Sequence, residues 1–223
     1  MRIAVVNAST FSGLADDLPA ILAACQSQIV EHYAPAFRSL PIELVAAASL
    51  DAVDPSDWPC LIADSATVAD SLGYHTIAAD GRALLFVETD PIATYGGTTK
   101  SGAVSVSAVL SHELLETCED ADAGEWYEAD DGTLYAREIC DPVQGDSYEI
   151  DGVTVSAFIT PAWFRGGSGP RALAGAAELP CDPLTLRPGG YMIKATSSGT
   201  TSVFGARSPW KGSHRYARGL RRS

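Results

Sequence analysis

The stretch AVSVSAVLSHELLETCED, residues 103–120, decides how this chain is organised. Its apolar side chains recur at helical spacing over most of the circumference, so we predict a long helix that is buried. A single polar stripe interrupts the apolar surface, and it consists of Ser105, His112, Glu116 and Glu119. A buried polar side chain needs a hydrogen-bonding partner, a cleft or a metal ion, so the stripe marks the candidate functional site.

Segments on both sides of this helix predict an α+β fold. Buried strands are predicted in RIAVVN (2–7), IELVAAAS (42–49), CLIADS (60–65) and ALLFVETD (83–90), and a first long helix in residues 13–37. After Gly124, alternating runs with Asp-Gly and Ser-Gly turns predict β-hairpins, in residues 131–143, 147–159 and 189–205. Residues 165–183 are predicted to be a loop, and Trp163 and Phe164 to cover the core.

The predicted architecture is therefore a mixed sheet with two long helices, followed by a hairpin-rich C-terminal part and a basic tail. We place the boundaries at residues 1–123 for the strand and helix module, 124–204 for the hairpin-rich part and 205–223 for the tail. The tail contains six basic and no acidic residues. This composition predicts a solubilising end, or a segment that docks on nucleic acid or on an acidic protein surface, such as a second copy of the chain.

Charge and cysteine content limit the partners and the compartment. A net charge of −13 disfavours a general nucleic-acid or anionic-membrane binder, so contact with nucleic acid is expected only through residues 206–223. No apolar run approaches the ~20 residues that a membrane helix needs. The five cysteines form no CxxC pair and the first residues lack a secretory signal, so we expect synthesis in a reducing cytoplasm.

The HELLE motif predicts a metal site. His112 and Glu116 are four residues apart and project from one helix face, so they can hold one divalent cation while Glu113 lies on its flank. The same spacing in H-E-x-x-H binds zinc, with the intervening glutamate as general base. Carboxylates are accepted zinc ligands, and the harder ligand set also suits manganese or calcium. The competing interpretation is a hydrogen-bonded polar cluster in the core.

A third protein ligand has to come from outside the motif. Glu138 and Asp141 follow in REICDP, and Asp120 and Asp122 lie just beyond the helix. We favour Glu138, because a ligand on a separate element can close the site, whereas Asp120 suits a helix-end role. Two isolated histidines, His32 and His75, are interpreted as helix-end or strand-surface residues.

An ordered series of segments resembles a family of tailed-phage and prophage proteins of zincin-like metallopeptidase type. The segments are SHELLE, EICDPV, YEIDGVTVSAFITPAWF, LRPGGYMI and the basic tail, which together cover residues 70 to 220. The resemblance implies a zincin-like fold with His112 and Glu116 as ligands, Glu113 as the base, and the segment of Glu138 and Asp141 completing the site. Glu116 stands where well-studied zincins have a second histidine.

Two functions follow from this resemblance. The first is a metal-dependent peptidase in which Glu113 activates a water molecule that attacks a peptide carbonyl, with Tyr191 as oxyanion donor or as a packed aromatic. The second is a bacteriophage virion protein, such as a capsid, decoration or neck component, that keeps the fold without the activity. In that case the partners are other virion proteins, and the location is the virion.

Overall fold

A computed structural model describes residues 1–65 and 71–206. The strands are β1 Arg2–Asn7, β2 Glu43–Ala47, β3 Trp58–Ala63, β4 Gly73–Ile77, β5 Ala83–Glu88, β6 Trp126–Glu128, β7 Leu134–Ala136, β8 Ser147–Ile150, β9 Val153–Ser156, β10 Phe158–Ile159, β11 Ala172–Ala174, β12 Ala177–Leu179, β13 Tyr191–Thr196 and β14 Gly199–Phe204. The α-helices are α1 Leu14–Ser27, α2 Ala34–Phe37, α3 Thr89–Thr94, α4 Val106–Glu119 and α5 Pro161–Arg165. The predicted α+β class is confirmed, and its zincin-like character stays a prediction.

A five-stranded mixed sheet occupies the N-terminal part, in the order β2-β1-β3-β5-β4. Strands β2, β1, β3 and β5 run parallel, and β4 is antiparallel to β5 at one edge. The four strands predicted before residue 90 are confirmed. The remaining strand of the sheet, β4, was not predicted, because its sequence GYHTI is short and has few apolar residues.

The predicted first helix is present as three consecutive helical segments. Helix α1 continues through a π-helical turn, Gln28–Tyr33, into α2. The run ends where Arg38 adopts a left-handed conformation with φ of 55°, which stops further i to i+4 hydrogen bonding.

Helix α4 contains the HELLE motif and is buried as predicted. Ser105 caps its start by accepting a hydrogen bond from Ala108 N, as serine commonly does at a helix N-terminus. Every residue from Val106 to Thr117 is buried, and the helix contacts β4, β5 and β9. The helix therefore lies between the N-terminal sheet and the C-terminal part.

The C-terminal part consists of hairpins, as the turn dipeptides predicted. Strands β6–β7, β8–β9 and β13–β14 form antiparallel pairs. Trp163 and Phe164 are buried in a core cluster with Phe158, which confirms their predicted position. The loop prediction for residues 165–183 is wrong for part of that range, because β11 and β12 pair with each other and β11 pairs with β10.

One hydrophobic cluster joins the two predicted parts of the chain. It combines side chains of β1, β3, β5, α1 and α4 with Val153, Val155 and Tyr191 from beyond residue 124. The predicted basic tail lies outside the described residues from residue 207 onward. Among the described residues no helix is long and apolar enough to cross a membrane.

Candidate metal centre

Three of the predicted ligands meet at the inner face of α4. His112 Nε2 lies 3.2 Å from Glu116 Oε1 and 3.3 Å from Asp141 Oδ1. Asp141 begins a short 3-10 turn, Asp141–Val143, that follows Cys140. The backbone N–H of Cys140 donates to Glu116 Oε1 at 3.2 Å, which ties this turn to the helix.

A second histidine, His75, faces the same glutamate from β4. Its Nδ1 lies 3.5 Å from Glu113 Oε2 and 4.0 Å from Glu116 Oε2, and its Nε2 lies 3.8 Å from Glu138 Oε2. His75 is only 4% exposed. Its interpretation as a surface residue was wrong, because β4 turns this side chain towards α4.

Two sets of ligand atoms emerge, and Glu116 belongs to both. His112, Glu116 and Cys140 each offer an atom within 4.8 Å of the other two, and so do His75, Glu116 and Glu138. Glu138 thus lies beside His75, whereas Asp141 lies beside His112. The predicted roles of these residues as ligands stay predictions.

Glu113, the predicted base, is 1% exposed. Its Oε1 is buried, and no described residue supplies it with a hydrogen bond. Asp141 Oδ1 is also buried. It lies 3.3 Å from His112 Nε2 but accepts no hydrogen bond from the described residues. Buried carboxylate oxygens without hydrogen bonds are costly unless a cation accompanies them, so these two atoms fit a metal centre.

Tyr191 is brought to the centre by glycines that precede it. A Cβ on Gly190 would lie only 2.1 Å from the carbonyl oxygen of Pro142, so the close approach of β13 to the Asp141 turn requires glycine. Tyr191 is buried beside the carboxylates. Burial, with the charges of Asp141 and Glu116, raises the pKa of the Tyr191 hydroxyl well above its usual value, so it stays protonated and able to donate.

The carboxylates create a strongly negative field. Burial alone would lower the pKa of His75, but the charges of Glu138, Glu113 and Glu116 raise it to about 10. The pKa of His112 is likewise raised well above its usual value against the effect of burial, chiefly by Glu116 and Asp141. The centre therefore attracts positive charge, whether as protons or as a metal cation.

The other predicted candidates have different surroundings. The Asp120 carboxylate accepts hydrogen bonds from the backbone N–H groups of Gly124 and Glu125, and so organises the turn after α4. Its backbone oxygen lies 3.0 Å from His75 Nε2, so Asp120 supports a residue of the centre. Asp122 is exposed.

No family model matches this chain, and neither the curated proteins nor the solved structures contain a match to it. The zincin-like resemblance therefore stays a prediction.

A cavity of about 300 Å³ is lined by residues that adjoin the centre in the sequence. It is lined by the aromatic residues Phe37, Trp126, Tyr127 and Phe164 and by Arg137 and Arg165. Glu119 also lines it and forms an ion pair with Arg137. Since Glu119 precedes Asp120 and Arg137 precedes Glu138, adjacent residues of the same segments face the cavity and the centre.

Proposed function

We propose that this protein is a metal-dependent hydrolase of peptide bonds, of zincin-like type, which binds a divalent cation at His112, Glu116 and Asp141. The observation that carries the proposal is Glu113, a buried carboxylate with one oxygen lacking a hydrogen bond from the described residues and the other oxygen 3.5 Å from His75 Nδ1. A base with this placement has no evident use in a purely structural core. It suits the removal of a proton from a water molecule.

The donor set fits a divalent cation. His112 Nε2 lies 3.2 Å from a Glu116 oxygen and 3.3 Å from an Asp141 oxygen, and a cation with bonds of ~2.0–2.2 Å can bridge a nitrogen and an oxygen at this spacing. Cys140 adds a thiol within 4.8 Å of His112 and Glu116, which favours zinc. Without the thiol, the oxygen-rich set suits manganese equally well, and calcium remains a candidate.

Each residue then has a defined chemical task. A cation bound there would supply Lewis acidity, which polarises a peptide carbonyl and lowers the pKa of a water molecule. Glu113 accepts the proton of that water at a carboxylate oxygen and returns it to the leaving amine. Tyr191 donates its hydroxyl proton in a hydrogen bond to the oxygen on which negative charge develops, as in an oxyanion hole.

The aromatic cavity supports a peptide as the substrate. Its volume of about 300 Å³ accommodates one or two side chains, and its aromatic and arginine lining suits apolar groups with a nearby carboxylate. Two acids, Glu119 and Glu128, also line the cavity, and Glu119 is paired with Arg137, so a substrate carboxylate would bind Arg165 or replace Glu119 at Arg137.

A second function is favoured by one specific observation. His75, His112, Glu113, Glu116, Glu138 and Asp141 are all no more than 5% exposed. Structural metal sites are closed, whereas catalytic sites keep a position open to substrate. Such burial supports a bacteriophage virion protein in which the cation only stabilises the fold, with other virion proteins or a second copy as partners.

One experiment separates the two functions. Purified protein, loaded with zinc or manganese, is incubated with a library of fluorogenic peptides beside the Glu113→Gln variant. We expect Glu113→Gln to keep its metal content and to lose at least ~100-fold in kcat/KM, the range that a general base contributes. Metal content equal to one cation or more with no cleavage of any peptide would refute the hydrolase and leave the virion protein.

A further inference from the structure

We propose that the centre holds two divalent cations bridged by Glu116: one at His112, Glu116 and Asp141, and a second at His75, Glu116 and Glu138. The second site deepens the proposed function and shares its first cation, but it does not depend on peptidase activity.

The two oxygens of Glu116 face different histidines. Oε1 lies 3.2 Å from His112 Nε2, while Oε2 lies on the side of His75, 4.0 Å from Nδ1. Each histidine has its own carboxylate from the 138–141 segment, Asp141 for His112 and Glu138 for His75. A carboxylate with one oxygen in each of two ligand sets has the arrangement of a bridging ligand in two-metal sites.

The hydrogen bond of His75 defines which of its nitrogens is available. Nε2 lies 3.0 Å from the backbone oxygen of Asp120, and a carbonyl oxygen can only accept, so Nε2 is the donor. In neutral His75 the lone pair therefore belongs to Nδ1, which faces the oxygens of Glu113 and Glu116. Glu138 Oε2 lies on the Nε2 side, 3.8 Å from that nitrogen, but His75, Glu116 and Glu138 each still offer an atom within 4.8 Å of the other two. A lone pair directed at two carboxylates is unfavourable, and either a proton or a metal cation on Nδ1 would relieve it; in the proposed site it is the metal cation. Metal-binding histidines commonly donate their other N–H to a backbone oxygen in this way.

The charge of the centre is also compatible with two cations. Glu113, Glu116, Glu138 and Asp141 are carboxylates that are almost completely buried, and both histidines are neutral when they bind metal. A single divalent cation would leave two of the four negative charges to be balanced by protons, for example on His75. Buried charges without compensation are strongly destabilising, whereas two divalent cations neutralise the set.

Manganese provides the direct test, since it suits carboxylate-rich sites and is paramagnetic. The full chain is loaded with Mn²⁺, freed of excess metal and analysed for manganese per chain and by electron paramagnetic resonance. His75→Gln and Glu138→Gln keep the side-chain size and remove a ligand of the second site only. His32→Gln is the matched control, because His32 hydrogen-bonds Tyr148 away from the centre.

We expect two manganese ions per chain with a spin-coupled signal in the wild type and in His32→Gln. His75→Gln and Glu138→Gln should each retain one ion, with the signal of isolated Mn²⁺. Circular dichroism checks that the variants fold, and the coupled signal of the wild type tests the pair even if one variant does not.

Three results would overturn the inference. One ion in the wild type that is lost in His112→Gln would remove the second site and keep the cation of the proposed function. Two ions without spin coupling, or two ions that persist in both second-site variants, would rule out the bridge. No bound manganese or zinc at all would overturn both proposals.

Discussion

Replacing Gly73 by alanine tests the contact by which β4 and α4 together form the centre. A Cβ at residue 73 would lie 2.7 Å from Val109 Cγ1, 2.9 Å from the backbone oxygen of Phe86 and 3.0 Å from Glu113 Cγ. Carbon atoms in contact are normally ~3.5–4.0 Å apart, so β4 and α4 would have to separate by about 1 Å. Overpacking of this kind costs about 1–3 kcal/mol of the free energy of unfolding.

For a chain of this size, that loss lowers the melting temperature by roughly 2 to 12 °C. Because Glu113 itself is displaced, the distance between His75 and Glu113 should increase and affinity for the cation should fall. Urea denaturation of the metal-loaded protein measures the first effect, and titration with Mn²⁺ measures the second.

A double-mutant cycle with Val109→Ala isolates the contact. Val109→Ala alone should cost about 2 kcal/mol through lost burial. In the double variant, the alanine at residue 73 meets one obstacle fewer, so the combined loss should be smaller than the sum by about 0.5–2 kcal/mol. The Phe86 oxygen remains in place, so the rescue is partial. A Gly73→Ala variant within about 0.5 kcal/mol of wild type, with additive effects in the cycle, would contradict this packing.

Three further predictions concern metal and stability. Removal of cations with EDTA should lower the melting temperature by about 5 to 10 °C, because metal at ~100 times its dissociation constant contributes about 2.7 kcal/mol to the free energy of unfolding. Re-addition of Mn²⁺ should restore the melting temperature. A melting temperature that EDTA leaves unchanged in scanning calorimetry would contradict a metal centre. Hydrogen bonds from Ser9 and Thr10 lower the pKa of Asp64 to about 2, below its unfolded value of ~3.9, so the stabilisation is present above about pH 4 and lost as the pH falls towards 2. Asp64→Asn should therefore flatten the dependence of the free energy of unfolding on pH in that window, by about 1 kcal/mol after allowance for solvent screening, as urea titrations at each pH would show. Trp163→Phe should lower the free energy of unfolding by about 1–3 kcal/mol in the same urea assay, because it removes volume from the core and leaves the Thr185 oxygen without its indole donor. A loss under about 0.5 kcal/mol would mean that the donor is dispensable.

The HELLE helix could be predicted from the sequence because its information is local. Helical periodicity fixes which side chains share a face, so the burial of α4 and the proximity of His112 to Glu116 follow from spacing alone. The segment with Glu138 and Asp141 could be named as well, since it follows within two short strands. Its division between two histidines could not, because that depends on the exact path of the chain through the 3-10 turn.

The position of His75 could not be predicted, because a five-residue edge strand has too little pattern to identify. What buries His75 is the packing of β4 against α4, and the residue that permits it is a glycine two positions earlier. A Gly-Tyr-His segment gives no local sign of this long-range contact. Pairing of β11 with β12 was missed for a related reason, since their strands are three residues long and their stability comes from β10 and the core.

Burial of the centre and hydrolysis place opposite demands on this molecule. Neutralising four buried carboxylates favours a closed site, in which water and substrate are excluded and the cations stabilise the fold. Hydrolysis requires that a peptide reach Glu113, and the aromatic cavity is lined by Glu119 and Arg137, which precede Asp120 and Glu138 of the centre in the chain. The Glu119 side chain also accepts a hydrogen bond from the Tyr33 hydroxyl, so a substrate that displaces Glu119 must replace an ion pair and a hydrogen bond with its own contacts. If the protein is a hydrolase, the free carboxylate of a peptide is the group best able to replace Glu119 at Arg137, because it offers the same charge and geometry. A peptide without that carboxylate would then be a poor substrate.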